Sequence, residues 1–310
     1  MTDIVITEFI DAGALAAMQA RFRVHIDPEL YAKPDELAGL LREVPAVIIR
    51  NQTQLRGPVL DAAQSLRVVG RLGVGLDNID MAACAARGIQ VFPATGANSL
   101  SVVEYVVCNA MMLLRGAYFA TGAMVAGEFP KTKLIGRETA GKLMGLVGFG
   151  AIGQGVARHA RALGMRVAAY HPRLSAEDPA WQGVERMGFE QLLAEADVLS
   201  LHVPLTDETR GMIGREALAL MKRDAILINT ARGEVLDEEA LVEALRAGRL
   251  GGAALDVFSE EPLRMPRAGL FADTPNLILT PHISGNTVES NARVSGMVAE
   301  RVMAALDGRA

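Results

Sequence analysis

The feature that most constrains this chain is a glycine pattern set directly behind a buried-strand pattern. Leu143–Val147 is a short apolar run, and Gly148-Phe149-Gly150-Ala151-Ile152-Gly153 follows it without a gap. Residues 151–163 then carry helical periodicity. G-x-G-x-x-G alone says little in a chain with 31 glycines among 310 residues. Its place between a strand and a helix gives it meaning. The chain must turn tightly at Gly148, admit a pyrophosphate at Gly150 and pack helix on strand at Gly153. The N–H groups that open the helix, at Ala151 and Ile152, then face the phosphates, where the helix dipole favours an anion. The pattern predicts a doubly wound parallel sheet that binds a dinucleotide.

A second alternating series precedes it. Residues 4–7, 23–26, 46–50, 66–71 and 89–92 read as strands, with helices over 12–22, 34–44, 58–64 and 81–87. Such alternation makes a parallel sheet with helices on both faces. A long helix is expected over 101–126, with Glu104 in its first turn, where an acid suits the dipole. Beyond the glycines, strands are expected at Arg166–Tyr170, 198–202, 225–229, 252–256 and 277–280. Helices are expected over 214–220 and 238–247, the latter with Asp237 as N-cap. Val288–Leu306 reads as a terminal helix with no strand of its own, free to pack back on the first series. The fold class is therefore α/β with two doubly wound parallel-sheet domains. The boundaries expected are 1–97 plus 282–310 for a substrate domain and 98–281 for a dinucleotide domain.

Composition bears on location and partners. Half of the residues are apolar and 22% are charged, ample for packed cores. A formal net charge of -5 argues against nucleic acid or an anionic membrane as partner. No run approaches the roughly 20 apolar residues of a membrane span. Met1-Thr2-Asp3 places an acid where a signal peptide would carry a base. Cys84 and Cys108 are the only cysteines, so the expected location is the reducing cytoplasm. No cysteine and histidine cluster has zinc spacing, and no metal is expected.

About 20 residues past the glycines, an acid would normally meet the ribose hydroxyls of NAD. Here the strand ends Tyr170-His171-Pro172-Arg173, with no acid before Glu177. A carboxylate would repel a 2′-phosphate, whereas Arg173, and His171 when protonated, can pair with one. The expected cofactor is NADP in preference to NAD.

Three later segments carry the chemistry: Asn229-Thr230-Ala231-Arg232-Gly233, Ala254-Leu255-Asp256-Val257-Phe258 with Glu261-Pro262, and Pro281-His282-Ile283-Ser284-Gly285. With the upstream run Gly70-Arg71-Leu72-Gly73-Val74-Gly75-Leu76-Asp77-Asn78-Ile79-Asp80, they resemble the D-isomer-specific 2-hydroxyacid dehydrogenases over essentially the whole chain. The likeness is to the branch of phosphoglycerate dehydrogenases and hydroxypyruvate reductases. It implies a flavodoxin-like substrate domain beside a Rossmann dinucleotide-binding domain, and a homodimer embraced through the long helix and 129–139. It also implies hydride transfer between a nicotinamide cofactor and a small 2-hydroxy or 2-keto acid of phosphoglycerate, hydroxypyruvate/glyoxylate or sulfolactate type. Within that likeness Arg232, Glu261 and His282 are catalytic. Val203, Pro204, Thr230, Asp256 and Gly285 line the cofactor, Asp256 as acceptor for the nicotinamide carboxamide. The backbone of Val74 and Gly75 holds the substrate carboxylate. Arg50 and Arg71 are candidates for a distal anion, or else structural ion pairs.

The reaction asks for the same side chains on chemical grounds. A 2-keto acid needs a cation on its carboxylate and carbonyl, and Arg232 offers a planar, permanently charged fork. It also needs a proton donor near neutral pH, which suits His282, oriented by Glu261. A nucleotide-sensing co-repressor on the same scaffold is the alternative. A formate-type dehydrogenase fits less well, because Glu261 gives the histidine an acid partner.

Overall fold

The computed structural model describes residues 2–308, and its backbone divides into two units. One is the described part of Met1–Asn98 with Asn286–Ala310; the other is Ser99–Gly285.

In the first unit β1 (Ile4–Ile6), β2 (Val24–Ile26), β3 (Ala46–Ile49), β4 (Val68–Arg71) and β5 (Gln90–Pro93) form one parallel sheet in the order β2-β1-β3-β4-β5. This is the flavodoxin-like order. Helices α1 (Ala12–Gln19), α2 (Pro34–Leu41), α3 (Gly57–Ala62) and α4 (Met81–Ala86) connect the strands. Every residue of β1, β3 and β4 is buried. Helices cover both faces, so these strands are continuous apolar runs and not alternating ones. Ile4, Ile6 and Ile48 join one core, and Val5, Val47 and Ile49 the other.

The second unit opens with α5 (Ser99–Arg115), and the continuous helix expected over 101–126 is interrupted. Gly116 takes a left-handed φ of 63°, and the pair Ser99–Arg115 and Ala117–Val125 is bent by 65°. The short helix α6 (Thr121–Val125) closes that second arm. Because α5 starts at Ser99, Glu104 lies beyond the first turn, which holds no acid. Among the described residues no single helix is long and apolar enough to cross a membrane.

Next come β6 (Leu143–Val147), α7 (Ala151–Ala162), β7 (Arg166–Tyr170), β8 (Glu185–Arg186), α8 (Phe189–Glu195), β9 (Val198–Leu201) and α9 (Arg215–Leu220). They are followed by β10 (Ile226–Asn229), α10 (Glu238–Arg246), β11 (Gly252–Leu255) and β12 (Leu277–Leu279). All seven strands are parallel, ordered β12-β11-β10-β9-β6-β7-β8. That is the Rossmann order with one strand added, and its direction of winding reverses between β6 and β9. Ligands of such sheets bind outside the carboxyl ends of the strands at this reversal.

The terminal helix α11 (Val288–Leu306) belongs to the first unit. A Thr287–Ser290 capping box starts it, and Val294, Val298 and Val302 are buried over the first sheet. Gly70 on β4 makes room for it: a Cβ there would lie 2.6 Å from Val298 Cγ1. Burying each such valine is worth about 1.5–3 kcal/mol. The chain returns to the first unit at Asn286, four residues later than expected from the sequence. The segment holding His282 stays with the second unit because its peptide N–H groups bond to Asp256.

Candidate active site

At the end of β6, Gly148 has a φ of 98°, and a Cβ there would overlap the His202 carbonyl oxygen at the end of β9. No side chain at this turn can be larger than hydrogen. Gly150 is the N-cap of α7, no side chain caps that helix, and a Cβ on Gly150 would meet nothing within 4 Å. The N–H groups of Ala151 and Ile152 are thus left to a ligand. At Gly153 a Cβ would lie 2.6 Å from the Gly148 carbonyl oxygen, so helix and turn touch there.

Two buried polar atoms near the same strand ends have no protein partner: His202 Nε2, after β9, and Thr230 Oγ1, after β10. Burial pushes His202 down to about 4, so the ring is neutral and offers a hydrogen bond without a charge. An uncapped helix start, an open glycine face and orphaned polar groups together fit a dinucleotide. Val203 packs on the core beside them, and the Pro204 carbonyl accepts from the Thr209 hydroxyl at 2.6 Å. Beyond β7, His171 Nδ1 accepts the Arg173 N–H at 3.2 Å, so the neutral ring presents Nε2–H outward.

Arg232 follows β10. Buried Asn229 braces its loop, donating to the Arg232 carbonyl at 2.9 Å and accepting the Ala231 N–H at 3.0 Å. The guanidinium donates to the Ala231 carbonyl at 2.6 Å. Gly233 lies against the loop that follows β11: a Cβ there would overlap the Phe258 carbonyl group and the Ser259 nitrogen. That close approach keeps the loop of Arg232 beside the loop of Glu261.

Glu261 is exposed, its side chain less so than the residue as a whole, at 31%. Oε1 accepts the Phe258 N–H at 3.0 Å, and Oε2 meets His282 Nδ1 at 2.7 Å. Burial alone would raise the carboxyl's pKa. The hydrogen bond and charge of His282, the Phe258 N–H and the Arg232 charge outweigh it, and the pKa falls below the ordinary carboxylate value. An ionised carboxylate only accepts, so the proton of this contact sits on His282 Nδ1. Nε2 is then an acceptor in the neutral ring and a donor in the cation.

His282 itself has a φ of 55°, a left-handed conformation that costs a residue with a side chain roughly 1–2 kcal/mol. Asp256 holds it there. Its carbonyl accepts the His282 N–H at 2.8 Å, Oδ1 the Ile283 N–H at 2.8 Å and Oδ2 the Ser284 N–H at 2.7 Å. The Thr280 hydroxyl donates to Oδ1 at 2.6 Å. Asp256, expected only as a carboxamide acceptor, is thus a buried anchor for the histidine loop. Gly285 ends that loop and the second unit.

The substrate residues expected from the sequence lie in the first unit, past β3 and at the end of β4. Buried Glu8 accepts the N–H groups of Arg50, Gln52 and Thr53 and the Thr53 hydroxyl, which fixes the loop 50–53. The Asn78 carboxamide donates to the carbonyls of Arg50 and Thr53 from the other side. Arg50 Nη2 donates to two neutral carboxamides, Asn286 at 3.1 Å and Asn291 at 3.0 Å, and the guanidinium lies 5.9 Å from the Phe9 ring centroid. Burial lowers its pKa. Arg71 is buried, with Nη1 donating to the Leu72 carbonyl at 3.0 Å; the Val74 side chain and its neighbour Gly75 reach solvent. Glu8 and Asn78 escaped the sequence reading because their partners are backbone atoms more than 20 positions away.

Comparison with known proteins agrees with this geometry. The family model described as D-isomer specific 2-hydroxyacid dehydrogenase, NAD binding domain, matches residues 107–284, more than half of the chain. The chain is 48% identical over 314 aligned positions, covering 100% of both sequences, to an (S)-sulfolactate dehydrogenase of Chromohalobacter salexigens. Among solved structures it is similar to the TT0316 protein of Thermus thermophilus, with a TM-score of 0.90, 34% identity and 99% and 97% of the two chains covered. It is also similar to a D-lactate dehydrogenase of Aquifex aeolicus complexed with NAD and lactic acid, with a TM-score of 0.86, 27% identity and 99% and 96% covered. Two parallel sheets of flavodoxin and Rossmann order, the glycine turn and the Arg232, Glu261 and His282 set therefore have one explanation: the chain belongs to the D-isomer-specific 2-hydroxyacid dehydrogenases.

Proposed function

We propose that the protein interconverts a 2-hydroxy acid carrying a second strong anion, of the sulfolactate kind, with its 2-keto acid, using NADP in preference to NAD. The observation that carries the reaction is the 2.7 Å contact of His282 Nδ1 with Glu261, beside the Arg232 charge, in the unit with Rossmann order. The nicotinamide, when bound, supplies or accepts the hydride. His282 Nε2 gives its proton to the keto oxygen in reduction and takes it back in oxidation. Glu261 fixes the ring's orientation and keeps the Nδ1 proton in place. Arg232 pairs with the substrate carboxylate and stabilises charge growing on the oxygen. The dinucleotide's phosphates go to Ala151 and Ile152 N–H. Val203 and Pro204 flank the adenine, and Thr230, Asp256 and Gly285 the nicotinamide end.

Substrate choice rests on Arg50, whose guanidinium hydrogen-bonds neutral carboxamides and lies near an aromatic face, with the charge of Glu8, which holds the same loop, acting on it. The 48% identical relative is named for a sulfonated acid. The backbone of Val74 and Gly75 receives the carboxylate, and Arg71 supports the loop. The regulator reading draws no support from these relatives. A panel of sulfopyruvate, phosphohydroxypyruvate, hydroxypyruvate, glyoxylate and pyruvate, each with NADH and NADPH, tests the proposal. Sulfopyruvate should exceed pyruvate in kcat/KM by at least about tenfold, or 1.4 kcal/mol. Equal values would overturn the second-anion reading. NADPH should exceed NADH, and His171→Asp should reverse the preference by restoring a ribose acceptor that repels phosphate. A ratio well below one in the unmodified protein would sink the NADP assignment.

The same reading makes the enzyme a cytoplasmic homodimer. Past α5, Val125, Phe129 and Ile135 are 84%, 77% and 82% exposed, and Tyr118 and Met124 lie among them. So much exposed apolar surface in one segment calls for a partner, and a second copy satisfies it symmetrically. Light scattering at micromolar concentration should give twice the chain mass; a monomer would contradict the dimer.

A further inference from the structure

Three successive peptide N–H groups, those of His282, Ile283 and Ser284, all point at Asp256. The N–H groups of Ile283 and Ser284 meet its carboxylate and that of His282 its carbonyl, so the chain's own carboxylate sits where successive N–H groups would receive an anion. The loop can be no better placed than that carboxylate. Oδ1 shares itself between the Ile283 N–H and the Thr280 hydroxyl, which lies 2.6 Å away. A hydroxyl has one proton, and an ionised carboxylate can only accept, so the Thr280 proton is committed to Asp256. Thr280 Oγ1 is also 2.6 Å from the Tyr105 hydroxyl. With the threonine proton spent, Tyr105 must be the donor in that contact. The direction of the whole chain is therefore set: Tyr105 to Thr280, Thr280 to Asp256, Asp256 to the histidine loop.

Tyr105 suits a donor that never turns round. Burial, reinforced by the Asp256 charge, pushes the phenol up to about 12 against the opposing hydrogen bonds, so it keeps its proton at any working pH. It stands on α5, and Asn109 Nδ2 bonds to its carbonyl one turn on at 2.8 Å. The last group in the relay is thus rooted in regular helix, whereas Thr280 and His282 flank Pro281 in irregular chain.

We propose that Tyr105 and Thr280 are positioning residues for the reaction, holding His282 in its left-handed conformation through Asp256. The proposal rests on the reading of His282 as proton donor. Neither hydroxyl touches substrate; each acts through the carboxylate. A loop released from Asp256 would relax from its left-handed φ and take the imidazole away from its working position. A misplacement of about 1 Å at such a group is enough for a hundredfold loss.

The test uses the full chain with Tyr105→Phe, Thr280→Val and Thr280→Ser, read by amide hydrogen exchange over 281–285 and by steady-state kinetics. Thr280→Val should speed exchange at Ile283 and Ser284 by about tenfold, as expected when a hydrogen bond to a charged group is lost, and Tyr105→Phe, which loses a bond between hydroxyls, by about threefold. They should lower kcat about five- to thirtyfold and leave the dinucleotide dissociation constant within about twofold. Serine, which keeps the hydroxyl, should restore both readouts. Unchanged exchange and kcat in Thr280→Val would overturn the proposal. So would faster exchange with unchanged kcat, because the hydroxyls would then serve only the fold. If the valine variant does not fold, Tyr105→Phe, which removes one oxygen, decides. If no keto acid is turned over, the dehydrogenase reading fails separately, and the exchange measurement still judges the clamp.

Discussion

Arg232→Ala is expected to lower kcat at least about a hundredfold, while the dinucleotide dissociation constant stays within about twofold. The guanidinium's charge acts on Glu261, and in the proposed reaction it pairs with the substrate acid, so its loss falls on that acid and not on the cofactor. Negative charge grows on the carbonyl oxygen as hydride arrives, and a fixed cation is worth most where charge develops. Removing a comparable electrostatic contact costs about 2.7–4 kcal/mol. The change has a second consequence. Arg232 is one of the influences that hold Glu261 low, so without it the pKa of the Glu261 carboxyl moves up. Steady-state kinetics with fluorescence titration of the dinucleotide would check this. Near-normal turnover would remove Arg232 from the mechanism.

Gly233→Ala should be almost as damaging, although the residue has no chemistry of its own. A methyl group there would occupy the space of the Phe258 carbonyl and the Ser259 nitrogen, and backbone cannot swing aside as a long side chain can. The loop carrying Arg232 must then part from the loop carrying Glu261 by a large fraction of an ångström or more. Displacements near 1 Å cost about a hundredfold in rate. The expected outcome is a loss of kcat of that order and a lowered Tm, with dinucleotide binding retained. A variant with normal kcat would show that the two loops need not touch.

The contrast between these two positions indicates what could be read from the residues and what could not. Arg232, Glu261 and His282 could be singled out because the proposed chemistry asks for those side-chain types after strand ends, and the structure sets Glu261 2.7 Å from His282 with the Arg232 charge acting on it. Both sheets were legible because a strand buried on two faces leaves an unbroken apolar run. Asp237 was legible as an N-cap, and its side chain does accept the Ala240 N–H at 2.9 Å. β8 left no signal, since Glu185 and Arg186 are both exposed and their strand is only two residues long. The break after Arg115 was hidden because apolar residues continue at helical spacing through Gly116, and only its left-handed conformation interrupts them. The service of Asp256 to the loop of His282, and of Glu8 to that of Arg50, consists of bonds to distant main chain. Such bonds have no side-chain pattern to betray them.

The helix that covers Gly70 follows the whole of the second unit in sequence, and this has a bearing on biosynthesis. The first sheet is complete once residue 93 has been made, yet the groove over β4 waits for Val298 and Val302. The 187 residues of Ser99–Gly285 separate Asn98 from Asn286, and a ribosome adds them in roughly 10–40 s at about 5–20 residues per second. Through that interval the nascent first unit shows bare apolar surface, whereas the second unit, continuous from Ser99 to Gly285, has all its strands before α11 emerges. Of these two units, the one whose sheet is translated earlier is the one completed later, so the exposed β4 face is where a nascent-chain chaperone would have most to cover.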